Sequence, residues 1–317
     1  MSLNIAIVGA GPAGCTLAHL LLKSEHNISV SVFERELNLD ARGQGGTLDL
    51  HTDTGILALK KAGLYDEFLK YARFDGEAMV VADKRMKRYI NLSGGEAKNS
   101  NGRPEIDRKN LRQILTQTLP PGILKWGHKL QKVHVPHTSG DPRGIILEFG
   151  NASLSGFDLV VGADGAYSRI RSLLSDENPF FSGVSWIRLG IDDAKNKSPE
   201  IYASVNRGSF FGISDHKGLI AQQMGDGSIS INAMLVKDSP GTIKQPLWKG
   251  DIDTVKSLLL SEYSDWDPQY KKWIEACDIE PWAANLDMLP IGHKWVHRSG
   301  LTLIGDSAHL ATPFAGK

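Results

Sequence analysis

The chain has 317 residues, 36 basic against 36 acidic, with 41% hydrophobic and 23% charged positions. That composition excludes intrinsic disorder, and a formal net charge of zero argues against a dedicated nucleic-acid or anionic-membrane binder. Two cysteines, Cys15 and Cys277, are too few for a disulfide framework or a four-thiolate metal site. No apolar run approaches the roughly 18 residues of a membrane span. The apolar stretch from Ile5 leads directly into a glycine loop rather than a signal-peptide core, so a cytoplasmic protein is expected.

In chain order, Asn4 to Val8 is a short β-branched run followed by Gly9-Ala-Gly11-Pro-Ala-Gly14. Ala13, Leu17, Leu20 and Leu21 then recur at helical spacing, with Pro12 suited to a first helical turn. A second strand, Ile28 to Phe33, ends at Glu34-Arg35, which completes a β-α-β unit. After the polar glycine loop Arg42 to Thr47, a helix is predicted from Gly55 to Ala62, stopped by Gly63. Asp107 is placed as the N-cap of a helix whose Leu111, Ile114 and Leu115 share one face. Phe157 to Val161 is a buried-strand candidate closed by Gly162-Ala-Asp-Gly165. Beyond Ser182 the texture changes to short alternating segments, among them Ile201–Val205 and Ser228–Asn232, which predict an antiparallel sheet. Helices are predicted near 252–263 and 268–276, and Leu301–Ile304 is a final buried strand running into Gly305-Asp306. The pattern is α/β: a nucleotide-binding domain interrupted by a sheet-rich one and resumed at the end.

Three glycines spaced Gly-x-Gly-x-x-Gly arise by chance about 0.35 times in a chain with 33 glycines, so context decides. A strand precedes this loop, a helix follows it, and Glu34 lies twenty residues past Gly14. Gly9 permits the tight turn, Gly11 admits a pyrophosphate, and Gly14 allows helix to pack on strand. The helix N-terminus offers unpaired N–H groups to the phosphates, and Glu34 can accept both hydroxyls of a ribose. Dinucleotide binding follows. Glu34 would repel a 2′-phosphate, which leaves FAD or NAD for this loop, with Arg35 beside it as the contrary sign.

Two later motifs separate FAD from NAD. Gly162-Ala-Asp-Gly-Ala-Tyr-Ser-Arg-Ile-Arg171 resembles the Asp-Gly motif of single-component FAD-dependent aromatic hydroxylases. Leu303-Ile-Gly-Asp-Ser-Ala-His-Leu-Ala-Thr-Pro-Phe-Ala-Gly316 resembles their Gly-Asp motif. Gly45–His51, Glu105–Arg112 and Ser264–Tyr270 are similar to segments of the tetracycline-inactivating flavin monooxygenases and their relatives. The resemblance implies a Rossmann-like, glutathione-reductase-type FAD-binding domain formed by 1–75, 105–180 and 283–317, with a sheet-rich substrate-binding domain from 76–104 and 181–282. It implies that NADPH reduces the flavin and that O₂ forms a C4a-hydroperoxyflavin, whose distal oxygen passes to a small aromatic or phenolic substrate. Cofactor contacts are expected from Gly9, Gly11, Ala13, Gly14, Glu34, Arg35, Asp49, Arg108 and Asp306. Arg42 falls in a loop linked to NADPH, and Asp164 in a motif used for both FAD and NADPH. Asp164 and Asp306 equally suit N-caps of strand-to-helix turns. Arg108, in a first helical turn, opposes the helix dipole and so hints at a ligand anion.

Other candidates carry less. His293 and His297 are four apart, without a convincing helix or a metalloprotease glutamate, and read as loop residues. His134 and His137 flank Pro136 on an edge or turn. Trp186, Phe210, Phe211 and Trp282 either line an aromatic cavity over the flavin or form sheet core. No second glycine fingerprint follows a strand, which disfavours a separate nicotinamide domain. The sequence stops at Phe314-Ala-Gly-Lys317, where the family continues with Gly-x-Asn and a helical stretch, so a C-terminally truncated member is expected. A catalytically weak flavin-binding protein and an FAD-linked reductase or dehydrogenase are the alternatives to a monooxygenase.

Overall fold

The computed structural model describes residues 2–41, 45–93, 103–136, 141–150, 152–205, 207–238 and 251–315. Five parallel strands lie in the order Leu301–Leu303, Leu159–Gly162, Leu3–Val8, Ile28–Phe33, Leu124–Lys125. Parallel sheets are covered on both faces, so their strands read as unbroken apolar runs. Residues Ile5-Ala-Ile-Val8 are all buried for that reason. Ile5 and Ile7 pack with the helical side, including Cys15 and Ala18 of the helix Pro12–Leu22. Ala6 and Val8 face the other way, onto Leu130, Leu147 and Phe149 of the small sheet formed by Leu130–His134, Ile146–Phe149 and Ser153–Leu154.

A larger sheet has seven strands in the order Ile279–Met288, Phe180–Ile191, Ile229–Val236, Lys217–Gln223, Ser209–Ser214, Met79–Ala82, Arg88–Leu92. Its neighbours are antiparallel except for the parallel pair Ser209–Ser214 and Met79–Ala82. Strand alternation gives the sheet two unlike faces. One carries Ile187, Leu189, Phe210, Leu219, Ile231 and Ala233 into a core closed by the helices Ile252–Glu262 and Pro268–Glu275. Phe210 meets Trp273 there edge-to-face, with centroids 5.1 Å apart. The opposite face carries Trp186, Arg188, Phe211, Met234 and Trp282, all only half-buried. The four aromatic candidates therefore divide: Phe210 is core, and the other three line the open face.

A two-stranded ribbon, Thr47–Asp49 against Glu105–Asp107, joins the two large sheets. The expected helix before Gly63 is a wide turn, Thr52–Ile56, running into Leu57–Ala62, and Gly63 closes it at φ 69°. Two expectations are corrected. The segment Ile201–Val205 is not a strand: it belongs to the helix Pro199–Ser204, which opens with proline at its start and Glu200 in its first turn. Asp107 stands at the N-cap position of Arg108–Gln117, yet its carboxylate makes no cap bond. It accepts from the Gly225 N–H at 3.1 Å instead. Both cysteines are buried, and burial pushes each thiol up to about 12. Among the described residues no helix is long and apolar enough to cross a membrane.

Candidate cofactor site

The glycine loop lies at the carboxyl ends of the parallel strands. Gly9 adopts φ 110°, and a Cβ there would stand 2.1 Å from the Ala163 carbonyl oxygen. A Cβ on Gly14 would stand 2.1 Å from the Gly9 carbonyl oxygen. At these two positions backbone meets backbone, and no side chain fits. Gly11 differs: it is at φ −73°, which any residue adopts, and a Cβ would meet nothing within 4 Å. Its lack of a side chain leaves space open rather than relieving a clash. Gly11 is the N-cap of the helix Pro12–Leu22 and gives no side-chain cap. The first-turn N–H groups, which have no intrahelical acceptors, thus face an open groove with the positive end of the helix dipole.

Glu34 is buried beside this loop. Its Oε2 accepts from the Ala10 N–H at 2.8 Å and its Oε1 from the Glu36 N–H at 3.0 Å. Arg35 next to it is exposed. Behind them Arg112, only 4% exposed, donates to Glu36 and lies over the Trp126 ring at 5.6 Å. Sequence reasoning missed this brace. Arg112 and Glu36 lie 76 positions apart, and no local pattern joins them.

The second end of the groove is built by the later motifs. Gly305, at φ 61°, packs so closely that a Cβ would come 2.9 Å from that of Ala13, which brings the last strand onto the first helix. Asp306 opens the short helix Asp306–His309 and is exposed. Arg108 faces it from the start of Arg108–Gln117, and its N–H donates to the Gly46 carbonyl at 3.0 Å. The guanidinium is open to the groove yet ringed by protein, which lowers its pKa, while the Asp306 carboxylate acts in the opposite sense. Asp49 is exposed on the same ribbon, 3.3 Å from His51. Asp164 turns inward: it accepts from the Ser168 and Ser307 hydroxyls and from the Arg169 N–H, closing its own turn. The structure thus brings Gly9, Gly11, Ala13, Gly14 and Glu34 to one end of the groove and Arg108 and Asp306 to the other. It leaves Arg35 at the rim and the Asp164 carboxylate occupied. Arg42 and His137 lie outside the described residues, and His293 and His297 fall in an irregular segment.

Where the ribbon meets the larger sheet, Arg73 donates to Glu105 at 3.0 Å and stands 3.7 Å from Asp107. Gln222 reaches both Glu105 and Ser209. Burial outweighs the nearby guanidinium and pushes Glu105 up to about 7, and it raises Asp107 as well. A cavity of about 420 Å³ adjoins this site along the first helix, lined by Pro12, Ala13, Leu17, Leu48, Leu111 and Ile304 among others. It contains no titratable group and offers no chemistry of its own.

The groove fits FAD: an unfilled position at Gly11, helix N–H groups for a diphosphate, and a cation at Arg108. The model of the FAD-binding domain family matches residues 2–237. The chain is 30% identical to a monooxygenase, penA, of Penicillium thymicola, over 99% of this chain and 81% of that protein. Its fold superposes on 2,6-dihydroxypyridine-3-hydroxylase from Arthrobacter nicotinovorans with a TM-score of 0.80 at 16% identity, covering 100% of this chain and 80% of that one. Tetracycline destructase Tet(51) gives 0.66 at 17% identity, covering 100% and 78%. With the glycine cradle, the ribbon and both sheets in place, the chain belongs to the FAD-dependent monooxygenases of the FAD-binding domain family.

Proposed function

We propose that this enzyme, acting in the cytoplasm, uses NADPH and O₂ to hydroxylate a small aromatic or phenolic molecule. FAD, once bound, supplies the redox chemistry, taking reducing equivalents from the nicotinamide and activating O₂. The chain's own residues bind, orient and exclude water. The Gly11 position and the first-turn N–H groups of Pro12–Leu22 hold the diphosphate, and Glu34 holds the adenosine ribose. Arg108, Asp49 and Asp306 hold the far end of the cofactor. Arg35 is assigned to the nucleotide rim, Arg42 to the nicotinamide donor, and Asp164 to both FAD and that donor. The spans 1–75, 105–180 and 283–317 act as the cofactor domain, and 76–104 with 181–282 as the substrate domain. The open face of the large sheet, with Trp186, Phe211 and Trp282, then forms the wall against which the substrate ring lies.

The observation that carries this reading is Gly11, open for at least 4 Å between two glycines pressed against backbone. Purified protein incubated with FAD should retain a flavin absorbance spectrum through gel filtration. It should oxidise NADPH faster when substrate is added, and should place ¹⁸O from ¹⁸O₂ in the product. No retained flavin refutes the cofactor assignment. Flavin retention with NADPH oxidation but no ¹⁸O in product identifies a reductase instead.

A further inference from the structure

We infer that Glu105, clasped by Arg73 and Gln222 where the ribbon meets the large sheet, is a positioning residue that sets Arg108 against the cofactor. This rests on the monooxygenase reading and deepens it, by naming a residue that acts on cofactor binding through another. The ribbon of Thr47–Asp49 and Glu105–Asp107 has two unlike faces, as strand alternation requires. Leu48 and Ile106 join the apolar core around the first helix. Glu105 and Asp107 occupy the alternate positions and are nonetheless buried, at 7% and 9% exposure. Arg108 follows Asp107 directly, and its N–H donates to the carbonyl of Gly46, the residue before Thr47, at 3.0 Å. Both strands of the ribbon therefore fix where the helix Arg108–Gln117 begins.

The large sheet grips both strands through one side chain. Gln222 Oε1 accepts from the Thr47 N–H at 3.3 Å, and its Nε2 donates to Glu105 Oε1 at 3.4 Å and to Ser209 Oγ at 3.1 Å. At 3.4 Å the bond to Glu105 is a long one, so the firmer hold comes from Arg73. Arg73 and Glu105 exchange both main-chain hydrogen bonds, at 2.8 and 3.0 Å, and Arg73 Nη2 donates to Glu105 Oε2 at 3.0 Å. Gly76 leaves room for that oxygen, since a Cβ there would stand 2.9 Å from it. One residue further on, Asp107 accepts from the Gly225 N–H at 3.1 Å and fastens the same strand to the next turn of the sheet. Ribbon, Arg73 and sheet thus meet at Glu105. A leucine in its place would leave the Arg73 guanidinium and the Gln222 amide short of an acceptor. Buried donors left unpaired are costly, and the ribbon must shift to relieve them, carrying Arg108 with it. Burial pushes Glu105 up to about 7, so glutamine reproduces its neutral form and keeps an acceptor for Arg73.

Titration of the cofactor-free protein with FAD, followed by flavin fluorescence, and with ADP, followed by calorimetry, tests this. ADP carries only the part of the cofactor assigned to the glycine end of the groove, whereas FAD also reaches Arg108. Glu105→Leu should weaken FAD about tenfold and leave ADP within about twofold of wild type. Glu105→Gln should keep FAD within about twofold. In Arg108→Met, itself about tenfold weaker for FAD, adding Glu105→Leu should cost less than about twofold more, because both changes remove the same contact. Gln222→Leu, which leaves every charge in place, repeats the cycle should Glu105→Leu not fold. Equal weakening of ADP and FAD would mark a merely structural residue and overturns the inference. So does a loss of about a hundredfold in the double variant, which would show that Glu105 acts independently of Arg108. Unchanged FAD affinity in Glu105→Leu, or a glutamine as weak as leucine, overturns it as well. A wild type that binds ADP but not FAD would defeat the cofactor reading and this inference together, an outcome distinct from all of these.

Discussion

Replacing Gly14 and Gly11 by alanine, one at a time, separates the integrity of the fold from access for the cofactor. In Gly14→Ala the new methyl would lie 2.1 Å from the Gly9 carbonyl oxygen and 3.2 Å from the Ala163 Cβ, whereas ordinary contact begins at 3.4 Å. The first helix must retreat from the strand by more than an ångström, and overpacking of that kind costs about 1–3 kcal/mol. In Gly11→Ala the methyl meets no protein atom within 4 Å, and the backbone at φ −73° accepts alanine. Alanine is a poorer N-cap than glycine, by up to about 1 kcal/mol. Restricting the unfolded chain offsets about 0.4–1 kcal/mol of this, so stability should change little. The same methyl occupies the approach of the diphosphate, and FAD affinity should fall at least about tenfold, or 1.4 kcal/mol. Urea unfolding of the cofactor-free proteins, paired with FAD titrations followed by flavin fluorescence, reads both quantities. Wild-type FAD affinity in Gly11→Ala would refute the placement of the diphosphate. Wild-type stability in Gly14→Ala would refute the close approach of helix and strand.

Arg108→Met and Asp306→Asn each remove an exposed charge from the far end of the groove. Cofactor-free stability should stay within about 0.5 kcal/mol while FAD affinity drops about tenfold, and unchanged affinity in both would exclude that end from cofactor binding. Glu105 keeps its proton in the fold to about pH 7 but releases it near 4.5 when free. The native state therefore binds more protons across that window, and stability falls as pH rises through it. At 1.36 kcal/mol per unit the loss reaches about 3 kcal/mol. Measured against Glu105→Gln, which does not titrate, the wild type should lose stability by that order between pH 4.5 and 7; a pH-independent difference would show that Glu105 does not titrate there. Trp273 is fully buried between its helix and the sheet, so Trp273→Ala should cost about 3–5 kcal/mol in urea unfolding. A smaller loss would mean that the helix pair closes over the cavity.

The first crossover was legible because each glycine answers to a local constraint: a positive φ, a carbonyl in the way, or an open approach. Buried strands such as Ile5–Val8 were legible for a similar reason, since a sheet covered on both sides leaves an unbroken apolar signature. The segment Ile201–Val205 misled because alternation over five residues fits strand and helix alike. The stronger signal was upstream, in Ser198-Pro199-Glu200, which is the chemistry of a helix start. Asp107 was placed correctly at a helix boundary, but its carboxylate serves a turn of the large sheet, a partner 118 positions away. Arg73, Glu105 and Gln222 come together only once ribbon and sheet have docked, so no spacing announces them. Which face of the large sheet Arg188 occupies likewise depends on strand register, and a shift of one residue would have buried it under the helices.

The concealment of both sulfhydryls has a practical consequence. With Cys15 and Cys277 buried and their thiolate forms suppressed at neutral pH, alkylating reagents should leave the folded native protein unmodified. A cysteine introduced at Ile291, 95% exposed, or at Tyr89, 63% exposed, would then be the sole attachment point for a spectroscopic probe. Two such labels on an otherwise unaltered chain would report the separation of these sites, with and without ligand, without first stripping out native residues.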